Sequence, residues 1–508
     1  MSEDILYGLG LGIYMGIMIL VGYLVKNRIK TSEDYLVAGR SFGLFFNSAT
    51  LVACFIGGSM LIATPGRIFD VGIWDDVYLS GGAITVIGGG FLCLLIVGTF
   101  YLGKMWRCKF ISLGDFFYTR FGRKTGITAT ILMSITFVIW ISVQILVFGK
   151  IVNGIIGWDL ETSIIIAMAV ICTYTILGGL FAVAYTDIIQ VSICLLGLLV
   201  LVPYSISAVG GWEVFSNSYN PELIKLIPAS DTPPVHWVVW LAAISITAVG
   251  NVASPDLMQR AFSAKSANVA RASAFTAAGV FALFGVLVSM AALAAVILVD
   301  NGVITDQYLI GNEAAGIAGD PELILPVMSK AILPLPLLIL FLGAALSAVM
   351  SAAATSSLAL AGVVSMNIYR DIFNPKASQA KQVRVTRITV LGIGILGAII
   401  ALNYPNAMEL CILCFDLLLA ALAMTVTLGL FWKKANSIGA MCGMIAGMAF
   451  RIIGGAIDGG AFTLEALAYP ENWYWFSLGA PLLCLVVTVV VSLATQKSCD
   501  PLPLPSHA

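Results

Sequence analysis

The chain has 508 residues, of which 60% are hydrophobic and only 10% are charged, and its mean hydropathy is +1.00. These values exclude a soluble globular protein. The formal net charge of −1 indicates no class of partner by itself, and we expect no nucleic-acid partner.

Runs of roughly 20 apolar residues recur along the chain, and each is long enough to cross a bilayer as a helix. Because the alternation typical of barrel strands is absent, the sequence predicts an all-α integral membrane protein with about 13 transmembrane helices. The predicted spans are 5–25, 43–64, 80–102, 125–153, 162–180, 183–207, 236–254, 272–298, 334–367, 386–402, 407–431, 436–455 and 475–495. The acidic start, MSED, is unlike the basic start of a signal peptide, so we expect the first span to be retained.

The distribution of basic residues predicts the orientation. With the N-terminus outside, most of the 26 Lys and Arg residues fall on the cytoplasmic side, among them Arg120, Arg260 and Arg370. The opposite loops carry acids such as Asp320 and Glu322. We therefore expect a multi-pass protein of the plasma (inner) membrane with a cytoplasmic C-terminus.

Several functions are disfavoured by what the sequence lacks. It has no G-x-x-x-x-G-K-[ST] loop to bind phosphates, which argues against an ATP-driven pump. The longest predicted loops have about 20 to 30 residues, too few for a soluble domain, and most of the ten cysteines lie in apolar spans. We expect no enzymatic activity, only a function carried out within the bilayer.

Two spans contain helix-weakening residues at their centres. The second span includes ACFIGGSM (53–60), and the seventh includes ITAVGNVASPDLMQR (246–260), where glycines and a proline lower helix propensity. Interrupted helices are tolerated in a membrane only where they line a cavity or are buried in protein. Two such helices at matching positions are typical of a transporter's central binding site. Close helix packing through glycine is the alternative explanation.

These breaks suggest an internal repeat within a single transporter domain, 1–508. A leading helix (5–25) would precede repeat one (43–207) and repeat two (236–431), and two terminal helices (436–495) would follow. Because each repeat has five helices, the two must be inverted relative to each other in the membrane.

An unwound segment exposes carbonyl oxygens that can coordinate a cation, and Na⁺ suits such oxygen ligands. Span 9 offers hydroxyls on one helical face, because Ser347, Ser351 and Thr355 are spaced by four residues. The alternative is that these hydroxyls bond to their own helix.

Four stretches carry a family resemblance. They are EDYLVAGRSFG (33–43), YTILGGLFAVAYTDIIQ (174–190), AVMSAAATSSLALAGVVSMNIYRDI (348–372) and RITV (387–390). In their order and spacing they resemble the sodium:solute symporter family, and the pattern is most similar to its choline transporter branch. The resemblance implies the same fold, with one leading helix, two inverted five-helix repeats and extra terminal helices.

The resemblance also implies a Na⁺ site between spans 2 and 9. Its ligands would be the carbonyls of Ala53, Ile56 and Ala348 and the hydroxyl of Ser351. Family members commonly have a second Ser or Thr at the next position, where this chain has Ala352. That departure leaves weaker Na⁺ binding or proton coupling open.

Candidate solute contacts follow from the same comparison. A quaternary ammonium is held by aromatic rings, and Trp140 is present where the choline branch has one such ring. The other ring positions hold Phe55 and Ser254, which leaves a choline-like cation and a zwitterion or amino-acid-like solute both open. Polar groups near these residues complete the candidate set, namely Ser59, Gln144 and Asn251.

Two acids within spans are functional candidates, because ionisable groups are costly in hydrocarbon. Asp187 matches a family acid on the ion's inward exit path, and stabilisation by a helix N-terminus is its alternative role. Asp416 in span 11 has three possible roles: counter-charge to a cationic solute, proton site, or structural partner.

The sequence as a whole predicts a secondary active symporter that couples inward movement of a cation, Na⁺ first among the choices, to uptake of a small polar organic solute. Its partners would be that solute and the lipid bilayer, and the sequence indicates no oligomeric state. The alternatives are a proton-coupled carrier of the same fold, a sensor that binds solute without moving it, and a channel.

Overall fold

The computed structural model describes residues 31–505 except 76, 311–318 and 469, together with residues 12, 16 and 20. Every regular element in this part of the chain is helical, and one isolated parallel bridge joins Phe42 to Ala264. The predicted all-α class is therefore confirmed. The first predicted span, 5–25, falls outside the described residues.

The first half of the described chain contains eight α-helices. They are α1 (Ser32–Val37), α2 (Leu44–Phe55), α3 (Thr64–Val71), α4 (Ile84–Ile96), α5 (Leu102–Arg107), α6 (Leu113–Ile156), α7 (Leu160–Val209) and α8 (Trp212–Ser218). Wider π-helical turns continue α2 into α3 (Ser59–Ala63) and α4 into α5 (Val97–Tyr101).

The second half contains twelve more α-helices among the described residues. They are α9 (Pro234–Gly250), α10 (Pro255–Ser263), α11 (Ala267–Asp300), α12 (Gln307–Ile310), α13 (Ile324–Ile332), α14 (Leu335–Val363), α15 (Gln379–Asn403), α16 (Ala407–Leu418), α17 (Met424–Phe431), α18 (Ser437–Asp458), α19 (Leu464–Ala468) and α20 (Trp473–Ala494). Further π-helical turns follow α14 (Val364–Phe373) and α16 (Leu419–Ala423).

The described residues include ten helices long and apolar enough to cross a membrane, or eleven if the bent pair α2 and α3 counts as one span. Predicted spans 5 and 6 fall on the two parts of α7, which meet at Gly179, where the backbone leaves helical geometry. A glycine is needed there because φ is +55° and a Cβ would lie 2.7 Å from the ring of Tyr35. The predicted count of 13 spans and the division into two repeats remain predictions.

Both predicted helix breaks are present. In span 2, α2 ends at Phe55, Ile56 has non-helical torsion angles (φ −94°, ψ 79°), and the axis bends by 55° before α3. In span 7, α9 ends at Gly250, Ser254 is extended, and Pro255 begins α10. Proline suits that first helical position because the missing N–H would have no partner there.

Glycines let both breaks approach neighbouring helices closely. A Cβ on Gly57 would lie 2.8 Å from the Cβ of Ala352 on α14, and one on Gly58 would lie 2.7 Å from Val147 on α6. A Cβ on Gly250 would lie 2.3 Å from the carbonyl oxygen of Phe415 on α16. The predicted packing role of glycine is thus real, and it operates at the breaks themselves.

The last two long helices are tied to the core through a buried charge. Asp416 on α16 binds the guanidinium of Arg451 on α18, and both side chains are 1% exposed. Ser477 on α20 donates a 2.8 Å hydrogen bond to the same carboxylate. Of the three roles considered for Asp416, this arrangement favours the structural one.

We predict that Asp416→Leu lowers the free energy of unfolding by about 3–5 kcal/mol, because Arg451 would keep a buried, unpaired charge. The double variant Asp416→Leu/Arg451→Met should recover most of that loss, since it removes both charges. Thermal unfolding of the purified proteins measures both effects. A double variant no more stable than the single one would contradict this account.

Candidate functional site

The break in span 2 is held open by a side chain from another helix. Ile56 N still donates to Val52 O, but Gly57 N makes no main-chain bond back to Ala53 O. Gly58 N donates instead to the Gln144 side-chain oxygen Oε1 on α6, at 2.9 Å. Gln144 therefore replaces a helical hydrogen bond and leaves α2 carbonyls free of their usual i+4 donors.

The face of α14 opposite this break carries the predicted hydroxyls. Ser351 is buried and donates from its hydroxyl to Asp187 Oδ1, so it does not bond to its own helix. The Ser347 hydroxyl is fully buried and has no hydrogen-bond partner among the described residues. Lone pairs of both hydroxyls remain available to a cation. Ala348, the remaining predicted ligand on this helix, is 3% exposed.

Ala352 also faces the break. Because a Cβ on Gly57 would meet the Ala352 methyl at 2.8 Å, the two backbones approach closely at this point. A larger side chain at 352 would push the break away from α14. The alanine that replaces the family's usual Ser or Thr thus lies at a tight contact between the break and α14.

Asp187 belongs to this cluster. It is fully buried, its Oδ1 accepts the Ser351 hydroxyl, and its Oδ2 lies 3.6 Å from Arg260 Nη2. The same Arg260 nitrogen donates to the Thr355 hydroxyl at 2.8 Å. The predicted hydroxyl face therefore binds an Asp–Arg pair.

The burial of Arg260 corrects one part of the argument for the predicted membrane orientation. The sequence suggested a cytoplasmic charge, whereas the side chain is 0% exposed and pairs with Asp187. Since a fully buried Arg does not report on loop charge, it carries no weight in assigning the orientation.

A second polar chain connects the break of span 7 with the predicted solute contacts. Trp140 donates from its indole nitrogen to the Ser356 hydroxyl at 2.9 Å, and Ser356 donates to Asp256 Oδ2 at 2.8 Å. The hydroxyl of Ser254 donates to the other oxygen, Oδ1. Trp140 also packs on Phe415, with ring centroids 4.9 Å apart. Trp140 and Ser254, far apart in sequence, are thus brought together by Asp256.

The other predicted solute contacts are also buried, but their contacts are with other residues. Phe55 packs edge to face against Phe281 on α11, at 5.7 Å between centroids. Ser59 accepts the Thr64 hydroxyl on its carbonyl, and Asn251 accepts Ser254 N on its carbonyl. Gln144 Nε2 has no partner among the described residues, which leaves one buried donor for a ligand.

The sequence reasoning missed Asp256 and Ser356. Asp256 lies two residues beyond the predicted end of span 7 at 254, so the rule for acids within spans, which singled out Asp416, was not applied to it. Ser356 had no such signal, since a serine in a run of serines and alanines does not show which face it occupies.

Another buried ion pair lies near the end of α6. Lys150 at the end of α6 is 3% exposed and binds both Asp320, at 2.7 Å, and Glu322. Glu322 also accepts the main-chain N–H groups of Ala407, at 3.2 Å, and Met408, at 2.8 Å. These groups open α16, where the helix dipole favours a carboxylate. The loop before α13 is thereby fixed to two core helices.

Comparisons with known proteins agree with this architecture. The model of the sodium:solute symporter family matches residues 35–447. High affinity choline transporter 1 of Homo sapiens is 28% identical over 455 residues, covering 86% of this chain and 75% of the relative. The osmoregulated proline transporter OpuE of Bacillus subtilis (strain 168) is 28% identical over 514 residues, covering 98% of this chain and 96% of the relative.

Among solved structures, a Na⁺-coupled sialic acid symporter in a substrate-bound outward-open state has a TM-score of 0.80. The match covers 99% of this chain and 100% of the other at 17% identity, which shows a shared fold.

We predict that Gly57→Ala lowers the free energy of unfolding by about 1–3 kcal/mol, because its methyl would overlap Ala352 and Gln144. Gly279→Ala on α11 is the matched control, since nothing lies within 4 Å of a Cβ there. Thermal unfolding of both purified variants measures the difference. Equal stability of the two would show that the break does not pack as tightly as described.

Proposed function

This chain belongs to the sodium:solute symporter family, and from that premise we propose how it couples Na⁺ to the uptake of a small polar organic solute. The family assignment makes it a multi-pass membrane transporter and not an enzyme. Our proposal concerns the ion ligands, the solute contacts and the way the two sites communicate.

We place Na⁺ between the break of span 2 and α14. Its ligands would be the carbonyls of Ala53, Ile56 and Ala348 and the hydroxyl of Ser351, with the Ser347 hydroxyl in place of the one missing at Ala352. The observation that carries this proposal is the junction of the break with α14, where Gly57 meets Ala352 and where carbonyl oxygens of α2 and the buried Ser347 hydroxyl have no donor or partner among the described residues. Five or six oxygen ligands suit a hard cation.

Asp187 supplies negative charge beside this site. Its bond from Ser351 supports a position beside the proposed ion rather than on a separate exit path, and Arg260 balances its charge. Release of the ion to the cytoplasm would then require that this pair rearrange. An ion pair is either formed or broken, and an element with two such states can couple ion binding to transport.

The solute would bind beside the two breaks, near Trp140. The relatives are named as choline and proline transporters, and both solutes carry a positively charged nitrogen. The ring of Trp140 would contact that nitrogen, Gln144 Nε2 would donate to a carboxylate or hydroxyl, and Ser254 would hold the neighbouring backbone. Phe55, Ser59 and Asn251 complete the proposed pocket wall, whereas Asp416 is engaged by Arg451.

Coupling follows from the shared break. Na⁺ would draw α2 towards α14 and so fix the segment that also lines the solute pocket. Each ligand then binds better when the other is present, and the coupling free energy is the same in both directions. One Na⁺ moving down 100 mV supplies about 2.3 kcal/mol from the membrane potential.

Transport also requires that the buried sites open in turn to each side. All the proposed ligands and contacts are less than one-tenth exposed, and Lys150 with Glu322 closes the extracellular end. We propose that this ion pair separates when the site opens outward. The protein would lie in the plasma membrane with its N-terminus outside, so that uptake is inward.

Proton coupling is the second candidate. The specific observation in its favour is that Ala352 removes one ion ligand while a carboxylate, Asp187, touches the remaining hydroxyl. A carboxylate can carry a proton where a full set of oxygen ligands is lacking.

We predict that Ser351→Ala raises the Na⁺ concentration needed for half-maximal uptake at least about tenfold, the effect of losing about 1.4 kcal/mol of ion binding. The KM for solute at saturating Na⁺ should change little. Uptake of radiolabelled proline and choline into proteoliposomes, with and without a Na⁺ gradient, provides the measurement.

Ser142→Ala is the matched control, because Ser142 is equally buried and donates only to Ile139 of its own helix. An unchanged Na⁺ response in Ser351→Ala would reject the proposed ion site. Uptake driven by a proton gradient in the absence of Na⁺ would support the second candidate instead.

A further inference from the structure

Three buried aspartates lie on the core helices of the described residues, and two of them are paired with an arginine. Asp187 faces Arg260, and Asp416 faces Arg451. Asp256 is 3% exposed, and no Lys or Arg of the described residues forms an ion pair with it. The central cluster therefore has two carboxylates and one guanidinium, which leaves one negative charge.

The partners of Asp256 are all neutral. Its Oδ1 accepts Ser254 Oγ and, at 2.7 Å, Leu257 N, and its Oδ2 accepts Ser356 Oγ at 2.8 Å. These bonds orient the carboxylate and satisfy its oxygens. The N-terminus of α10 adds the equivalent of about half a positive charge. A full charge in a low-dielectric interior still favours a cation close by.

Arg260 does not serve as that cation, although it lies one turn further along α10. Its Nη1 donates to Gln259 at 2.8 Å, and its Nη2 donates to Thr355 and faces Asp187. The guanidinium is thus turned towards the ion site. Asp256 is turned towards Ser356 and Trp140.

An aromatic surface lies next to this carboxylate. Ser356 connects Asp256 to the indole of Trp140, whose ring packs against Phe415. A positively charged nitrogen is recognised by both kinds of group, because a carboxylate attracts its charge and a ring face attracts it through the quadrupole. A solute with only negative charge would be repelled here, and an uncharged polyol would leave the carboxylate without a counter-charge.

We propose that Asp256 is the counter-charge for a positively charged nitrogen of the transported solute. The substrate class is therefore ammonium or quaternary ammonium compounds, zwitterions included. The proposal rests on the solute symport described above, and it assigns the specificity for charge to one residue.

The test compares charged and uncharged probes of the same shape. Purified wild-type protein is titrated with choline, glycine betaine, proline and 3,3-dimethylbutan-1-ol, the uncharged carbon analogue of choline, and thermal stabilisation is measured with Na⁺ present. We expect at least one charged probe to bind about 30-fold or more tightly than the uncharged analogue. Asp256→Asn should weaken that probe by a similar factor and leave the stabilisation by Na⁺ alone unchanged.

Asp75→Asn is the matched control. Asp75 is also buried, at 2% exposure, and its carboxylate accepts hydrogen bonds from Ser80 and from the main-chain N–H groups of Val77 and Tyr78 in the loop after α3. Its substitution should leave the preference for charged probes intact. Asp256→Glu, which keeps the charge, should retain the preference even if affinity falls.

Three results would overturn the proposal. In the first, no charged probe binds more tightly than the uncharged analogue to wild-type protein that responds to Na⁺. In the second, Asp256→Asn retains the preference. In the third, Asp256→Asn loses its response to Na⁺, which would make the carboxylate part of the ion site. Wild-type protein without any Na⁺ response would instead contradict the proposed function, so the two failures are distinguishable.

Discussion

The structure depends on the hydrogen bond from Gly58 N to Gln144. In hydrocarbon every main-chain polar group needs a partner within the protein, so α2 can stop at Phe55 only if another helix satisfies the next N–H groups. Gln144 does so from α6. The break that results lies against α14 at Gly57 and Ala352. One side chain thus supports the segment at which we propose both the ion site and the solute site.

Buried charge is distributed according to a consistent pattern. The Asp187–Arg260 pair joins α7 to α10, the Asp416–Arg451 pair joins α16 to α18, and Lys150 of α6 binds Glu322 of the loop before α13. Each pair joins different helices or a helix and a loop. In the proposed transport cycle the other two pairs would separate, whereas the pair of the terminal helices would stay intact, because breaking a buried pair is costly.

The small residues at the two breaks determine how closely the helices pack there. Gly57 against Ala352 and Gly250 against the Phe415 carbonyl allow backbone contact without side chains between. Such contacts have two discrete arrangements, packed or separated, because interiors are not continuously deformable. In the proposed mechanism both the ion and the solute would bias that choice.

The sequence by itself determined the membrane class, most spans and both breaks, because these follow from apolar run length and from the low helix propensity of Gly and Pro. It also identified Ser351 and Trp140 as candidates. Only the tertiary structure decided the partners: Ser351 meets Asp187 across 164 residues, and Ser356 meets Asp256 across 100. Apolar periodicity does not fix how each helix rotates against its neighbours, so Arg260 was assigned to a loop and Asp256 was overlooked.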